Sequence, residues 1–463
     1  MVVVVYVLLM VSAILEPNLG LPIWPYLGTG LFVLFVRIMF RRHPRGMAIL
    51  TPLVITRILL LFSLVFIAQR FFIRELGIIG EGPVYACYFA LISCIFLHLT
   101  ILTFDILVRN APPRPANPHP LAKYLFATIA IIAGLFATIT LLYTGAHSGF
   151  ALLDGTDRFA FRANQGWLFN VIITFKPIIC AMLGFVRFRI RFSAVIRAIF
   201  TSVFVVLLLS SALFGDKFLS LIVMIVYFFM PYLILEGRID KRMRVAGLAV
   251  LLLGGSIVSG LTYYTYSDYG RLSFEETSER LFGRFTGQGQ LWYAVNNREV
   301  GLTVGDPAEA QRLKNVMLAS SGADDLAFRT RTGIFQMVQR FAPSSIQHAV
   351  FGREGLVQFT GAGEAYLSLV FGQTGMLIFI VILAIGCGAS VYYVYNSSIN
   401  GSLVGFVFSI FIVANYSSMV NQGSFWQIYG VRSLFYITVM ISLDLLSRVL
   451  VNQIPTRRVI KGR

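Results

Sequence analysis

The chain is predicted to be an all-α polytopic integral membrane protein with about twelve transmembrane helices and one long helical loop on the outer face. Three observations carry that expectation. Of 463 residues, 57% are hydrophobic and 13% charged, with a mean hydropathy of +0.78. A soluble domain carries about 25% charged residues, so a cytosolic enzyme, a secreted domain and a disordered scaffold are all excluded. The apolar residues fall into long runs, and a run of about 20 spans the hydrocarbon core of a bilayer. The third observation is a formal net charge of +17, from 38 Lys and Arg against 21 Asp and Glu. In a chain this apolar, it expresses the positive-inside bias of a polytopic protein rather than affinity for nucleic acid.

The candidate spans are 2–15, 22–40, 47–69, 83–108, 121–143, 167–186, 193–214, 218–235, 245–264, 366–395, 402–420 and 433–451. The first begins at Met1 with no basic segment before it and no clean cleavage site, and reads as a retained helix. Basic residues cluster after alternate spans: Arg37 to Arg45, Arg109 to Lys123, Arg187 to Arg197, Arg238 to Arg244, and Arg448 to Arg463. The short loops between these clusters carry few, which puts both termini on the cytoplasmic side. The chain thus divides into residues 1–264 with nine spans, a polar segment 265–365 on the outer side, and residues 366–463 with three spans and a basic tail. No internal repeat is visible.

Segment 265–365 holds ten basic and eleven acidic residues, more than half of all Asp and Glu. Ser273 and Glu276 form a capping box for a helix reaching to Asn297; Asp306-Pro307 opens a second helix, and residues 332–341 suit a third. A loop this long is normally functional or disordered, and its Trp, Phe and caps favour order. The cysteines Cys87, Cys94, Cys180 and Cys387 lie in apolar runs without metal-ligand or disulfide spacing and read as packing residues.

Ionisable residues in or beside spans are site candidates by default. Lys217, in Phe214-Gly215-Asp216-Lys217, either faces an anionic headgroup or snorkels to water. Lys176, inside a span, partners a lipid phosphate or an intramembrane carboxylate. Arg57, Asp105 and Asp444 read as an ion pair toward the inner side. Arg158 and Arg162, interleaved with aromatics before residue 167, suit phosphate or sugar binding, or an interfacial belt. Arg280 and Arg284 share one helix face, where they cradle a diphosphate or pair with Glu276 and Glu279. Gln288, Gln290 and Trp292 form a cluster suited to a sugar.

The stretch from Arg329 to Gly375 contains Arg329, Arg331, then Phe351-Gly352-Arg353-Glu354-Gly355, then Gly363-Glu364, then Gly372 and Gly375. Here the chain resembles the bacterial polysaccharide polymerases and lipid A–core ligases, the Wzy-type O-antigen polymerase and its relatives. Arg331, Gly352, Gly355, Gly372 and Gly375 fit that family's places, and Glu364 stands where the ligases have His. Lys217 takes the place of an Arg at an outer helix end, and the Gln288-Gly289-Gln290 region is similar to one polymerase subgroup. The resemblance implies an inner-membrane enzyme that transfers a glycan from undecaprenyl diphosphate to a sugar hydroxyl of an incoming lipid-linked repeat unit. It further implies Arg331, Arg280, Arg284, Arg329 and Lys217 at the donor diphosphate, Glu364 as the base, and Gln288, Gln290, Trp292, Arg158 and Arg162 at the sugars. The expected partners are the lipid-linked oligosaccharide, the bilayer and a chain-length regulator protein, with no cofactor and no metal. Two rivals accompany this reading. A ligase to lipid A–core is disfavoured by Glu364 in place of His. A transporter or flippase is expected to carry charged pairs near the bilayer midplane and a repeated helical architecture, whereas here the charges concentrate in one outer loop.

Overall fold

The computed structural model describes residues 1–73, 76–113, 120–152, 154, 161–162, 164–214, 218–237, 286–297, 363–422, 434–439 and 441–442, with isolated residues between 256 and 283. The described chain is almost wholly helical: α1 (Val2–Leu19), α2 (Trp24–Arg42), α3 (Pro44–Ala68), α4 (Ala86–Asn110), α5 (Pro120–Ser148), α6 (Trp167–Arg189), α7 (Ala194–Leu213), α8 (Phe218–Glu236), α9 (Gln290–Asn296), α10 (Gly363–Asn400) and α11 (Leu403–Gln422). Between α3 and α4 a small antiparallel pair, β1 (Phe72–Ile73) and β2 (Ile78–Ile79), closes a hairpin. Eight of the described helices are long and apolar enough to cross a membrane, and Ser220–Glu236 is a shorter apolar helix. Ten expected spans therefore coincide with helices to within a few residues, while most of 245–264 and most of 433–451 lie outside the described residues.

Local chemistry explains the boundaries. Pro25 and Pro44 stand at the starts of α2 and α3, where a missing N–H costs nothing. Ser193 caps α7 by accepting from Ile196 N at 3.4 Å. Gly20 ends α1 in the left-handed conformation. Packing between helices uses small residues, as lipid-facing helices do: a Cβ on Gly184 of α6 would lie 1.9 Å from the Phe228 carbonyl of α8.

The bundle has two distinct ends. At one, Arg45 donates to Tyr395 Oη at 3.0 Å, and Arg189 donates to the carbonyls of Ser398 and Ile399 at 2.8 and 2.7 Å. Arg45 also borders Gly237 there. This arginine face holds the ends of α2, α6, α8 and α10. The opposite, loop face carries the turn between α1 and α2, the β1–β2 hairpin, loop 80–85 and α9.

One expected span has a different form. Residues 366–395 were expected as a single crossing, but α10 is broken at Gly372, whose φ of 69° and ψ of 178° belong to a region that essentially only glycine occupies. The chain reverses there. Gly363, Glu364 and Leu367 line one small cavity together with Ile380 and Leu383. A straight helix would hold Gly363 and Leu383 about 30 Å apart. Gln373, at the apex, accepts from Tyr88 Oη at 2.8 Å near the loop-face start of α4, and donates to Ser368 Oγ at 3.0 Å. Phe371 stacks on Phe379 across the bend, with centroids 4.4 Å apart. Residues 363–371 are thus a re-entrant half-helix that starts deep in the bundle, and residues 373–400 make the crossing.

Candidate functional site

Among the described residues a buried ion pair, Arg57–Glu364, stands at mid-depth in the bundle. Arg57 lies in α3 about 17 to 20 Å from either end of that helix, near its middle. Its guanidinium donates from Nη1 to Glu364 Oε2 at 2.8 Å and from Nη2 to Glu364 Oε1, a bidentate fork. Arg57 is 1% and Glu364 2% exposed, and the guanidinium carbon sits 5.1 Å over the Phe89 ring. Arg57 Nε is buried without a hydrogen-bond partner. The cavity beside Glu364 measures about 10 Å³ and is otherwise lined by Phe96, Leu367, Ile380, Leu383 and Met419. That is room for at most one water. Glu364 also stands in the first turn of the half-helix, where the peptide dipoles favour an anion.

This pairing corrects the expected one. Arg57 was expected to pair with Asp105 or Asp444, whereas it pairs with Glu364, and Asp105 pairs with His43 at 2.8 Å. Asp444 lies outside the described residues. The reason is depth: the re-entrant half-helix lowers Glu364 from the loop end to the level of Arg57, while Asp105 is two turns nearer the arginine face. The absence of a charged pair near the middle, which counted against a transporter, does not hold either.

A second carboxylate organises the loop face. Glu16, near the end of α1, is 2% exposed, and its two oxygens accept from the amides of Ala86 (2.8 Å) and Cys87 (2.9 Å). These are two of the unpaired N–H groups at the start of α4, which no side chain of α4 itself satisfies. The residue before them, Tyr85, has φ 54°, a left-handed conformation uncommon outside glycine. Glu16 then borders a cavity of about 210 Å³ between the α1–α2 turn, the end of α3 and loop 80–84, with Arg70 and Glu81 exposed at its rim.

The loop that walls this cavity is held by α9 and the turn before it. Ser63 of α3 donates to Thr286 O at 2.7 Å and accepts from Gly289 N at 2.7 Å. A Cβ on Gly289 would lie 2.8 Å from Ser63 Oγ, so the turn requires glycine. From α9, Trp292 Nε1 donates to Tyr85 O at 3.3 Å. Tyr293 Oη accepts from Glu81 N at 2.8 Å and donates to Glu81 O at 2.7 Å, and Asn297 Nδ2 donates to Glu81 O at 2.8 Å. The helix therefore clamps loop 80–85 against the bundle.

Gln290 and Trp292, expected to touch a sugar, are instead buried in the packing beneath this loop. Trp292 is covered by Tyr88 and Phe89, with centroids 5.8 and 5.1 Å away, and as placed it offers no face to a ligand. Gln288 is half-buried in the turn before α9. Arg162 is half-buried on the loop before α6, where burial lowers its affinity for a proton, and its charge bears on the buried Lys176. Arg158, Lys217, Arg280, Arg284, Arg329 and Arg331, with Gly352 and Gly355, lie outside the described residues. Among the described residues no cluster of three or more His, Cys, Asp or Glu is placed to hold a metal ion.

Sequence reasoning missed Glu16 altogether and did not see Arg57 as the partner of Glu364. A signal for Glu16 was present: it is the one charged residue in the first apolar run, set just before the Pro17-to-Pro22 turn. Compared with known proteins, residues 327–437 match a family of unknown function, DUF6418, a region that includes the half-helix, the bend and α11. No curated protein and no solved structure matches the chain.

Proposed function

We propose that this protein is a bacterial inner-membrane polymerase of lipid-linked oligosaccharides, working with its loop face toward the periplasm. The growing glycan, carried on undecaprenyl diphosphate, passes to a sugar hydroxyl of an incoming lipid-linked repeat unit. The observation that supports this reading is the cavity at the helix ends of the loop face, bordered by Glu16, Arg70 and Glu81, whose loop 80–84 is held in place by α9. Lipid-linked sugars meet a membrane enzyme at that level. Arg331, Arg329, Arg280, Arg284 and Lys217 would hold the donor diphosphate electrostatically, and Arg162 would sit among the sugar contacts. The acceptor hydroxyl loses its proton to a carboxylate as its oxygen attacks the anomeric carbon. The bond to the diphosphate breaks, and undecaprenyl diphosphate leaves with the electron pair. For Glu364 to take that proton, Arg57 must first release it.

The test is to incubate the purified protein with lipid-linked repeat units alone. Longer lipid-linked glycans are the expected product, and their absence with intact substrate rejects the polymerase. A second reading, a transporter or lipid flippase, is favoured by one observation: a charged pair at mid-depth tied to a broken helix, features that mark coupling sites in transporters. Movement of lipid-linked sugars across proteoliposomes without elongation is the outcome that selects it. A ligase would need lipid A–core as an added acceptor.

A further inference from the structure

The half-helix 363–371 is held at both ends, and both holds lead to one side chain of α9. At its start, Glu364 is gripped by Arg57. Arg57 Nε has no hydrogen-bond partner, so the guanidinium is fixed by that fork and by the Phe89 ring 5.1 Å away. Phe89 in turn packs edge-to-face on Trp292 of α9, with centroids 5.1 Å apart. At the far end, Gln373 accepts from Tyr88 Oη at 2.8 Å, and the Tyr88 ring lies 5.8 Å from the same indole. Consecutive residues of a helix diverge by about 100°. Tyr88 and Phe89 therefore part toward the two anchors, while Trp292 closes over both.

The half-helix also has the parts of a hinged element. Gly372 joins it to the crossing helix at φ 69°, and a Cβ placed there meets open space, so no packing at the bend opposes a turn of the chain. Its start carries a carboxylate that is compensated only while Arg57 faces it. A rival hold comes from α11, where a Cβ on Gly363 would lie 2.6 Å from the Met419 carbonyl. That contact is close but rests on one face of one glycine, whereas the route through Trp292 fixes both ends.

We infer that Trp292 is the point through which α9 controls the half-helix. With α9 seated, Phe89 keeps Arg57 on Glu364 and Tyr88 keeps Gln373 in place. With α9 lifted, both anchors loosen together, and the half-helix turns about Gly372 and draws Glu364 away from Arg57. Coupling of this kind needs a contiguous physical connection and an element with two positions; the stacked rings supply the first and the hinged half-helix the second. On the polymerase reading, this release frees Glu364 to take the acceptor proton. The coupling itself does not rest on that reading.

The experiment is hydrogen–deuterium exchange of the full-length protein in nanodiscs, read peptide by peptide by mass spectrometry. Trp292→Ala is expected to speed exchange across 363–371 by at least about tenfold, the local opening that follows loss of a packed ring. Residues 194–213 of α7 should exchange as in the parent. Trp292→Phe keeps a ring over Tyr88 and Phe89 and should speed 363–371 by no more than about fivefold, the effect of one lost hydrogen bond. Phe200→Ala removes a buried ring from α7 and should leave 363–371 unchanged. Three results overturn the inference. Unchanged exchange of 363–371 in Trp292→Ala would put the hold at α11. Faster exchange in loop 80–85 alone would make α9 a clamp on that loop and nothing more. An equal rise in every helix would make Trp292 a general packing residue. Release of the half-helix in a protein that elongates no lipid-linked glycan would sink the polymerase and leave the coupling standing. Elongation without the coupling would do the reverse.

Discussion

Two carboxylates, Glu16 and Glu364, are equally buried at 2% exposure, yet the protein uses them in opposite ways. Glu364 faces a guanidinium at mid-depth beside a cavity of about 10 Å³. Glu16 faces two backbone amides near a membrane surface and floors a cavity of about 210 Å³. The first has both oxygens committed to one charged partner. The second is held by the partial charges of backbone amides rather than by a full opposite charge. Burial alone does not say how a carboxylate is held; the identity of its partners and the space beside it do.

The comparison breaks most readily at the ion pair. Glu364→Ala strands the Arg57 charge in the bundle and is expected to cost about 3–5 kcal/mol, the usual penalty for removing one member of a buried pair. Replacing both, Arg57→Met with Glu364→Leu, should recover most of that loss in equilibrium unfolding in mixed micelles. No recovery would mean that the pair does more than neutralise itself. Glu16→Ala orphans the amides of Ala86 and Cys87 and should cost about 2–6 kcal/mol, at about 1–3 per buried donor. A cost well below that range would mean that water reaches the freed amides.

Smaller effects sharpen the picture. Gly372→Ala meets open space but keeps φ at 69°, so its cost is backbone strain of about 1–3 kcal/mol. It should be read together with Gln373→Cys, which a membrane-impermeant maleimide is expected to label from the loop face. Protection of that cysteine would argue against a reversal at Gly372. Trp292→Phe keeps the ring against Phe89 and loses only the bond to Tyr85 O, for about 1 kcal/mol. A much larger loss would show that loop 80–85 depends on that single donor.

Much of this was legible from the chain itself, because an apolar run is a local property. A span is a span whatever it packs against, and ten of the expected ones match helices with ends displaced by a few residues. The motif residues were also legible as a set, yet their environment was not. Trp292 looked like a sugar platform because a Trp among Gln and Gly in a polar segment has that composition. Its burial depends on Tyr88 and Phe89, some two hundred positions away.

What the sequence by itself determined is the class of the protein: an apolar helical chain with a basic bias at alternate loops and a long polar segment between spans. What only the tertiary structure decided is depth. Glu364 sits next to a glycine-rich turn and reads as a residue at a helix entrance. The reversal at Gly372 carries it inward, to an arginine 307 positions earlier in the chain. Glu16 ends an apolar run and reads as an interfacial charge, until the start of α4 is brought over it. Helix formation follows from neighbours within a few positions, whereas the partner of a buried charge is set by which helices lie side by side and at what height.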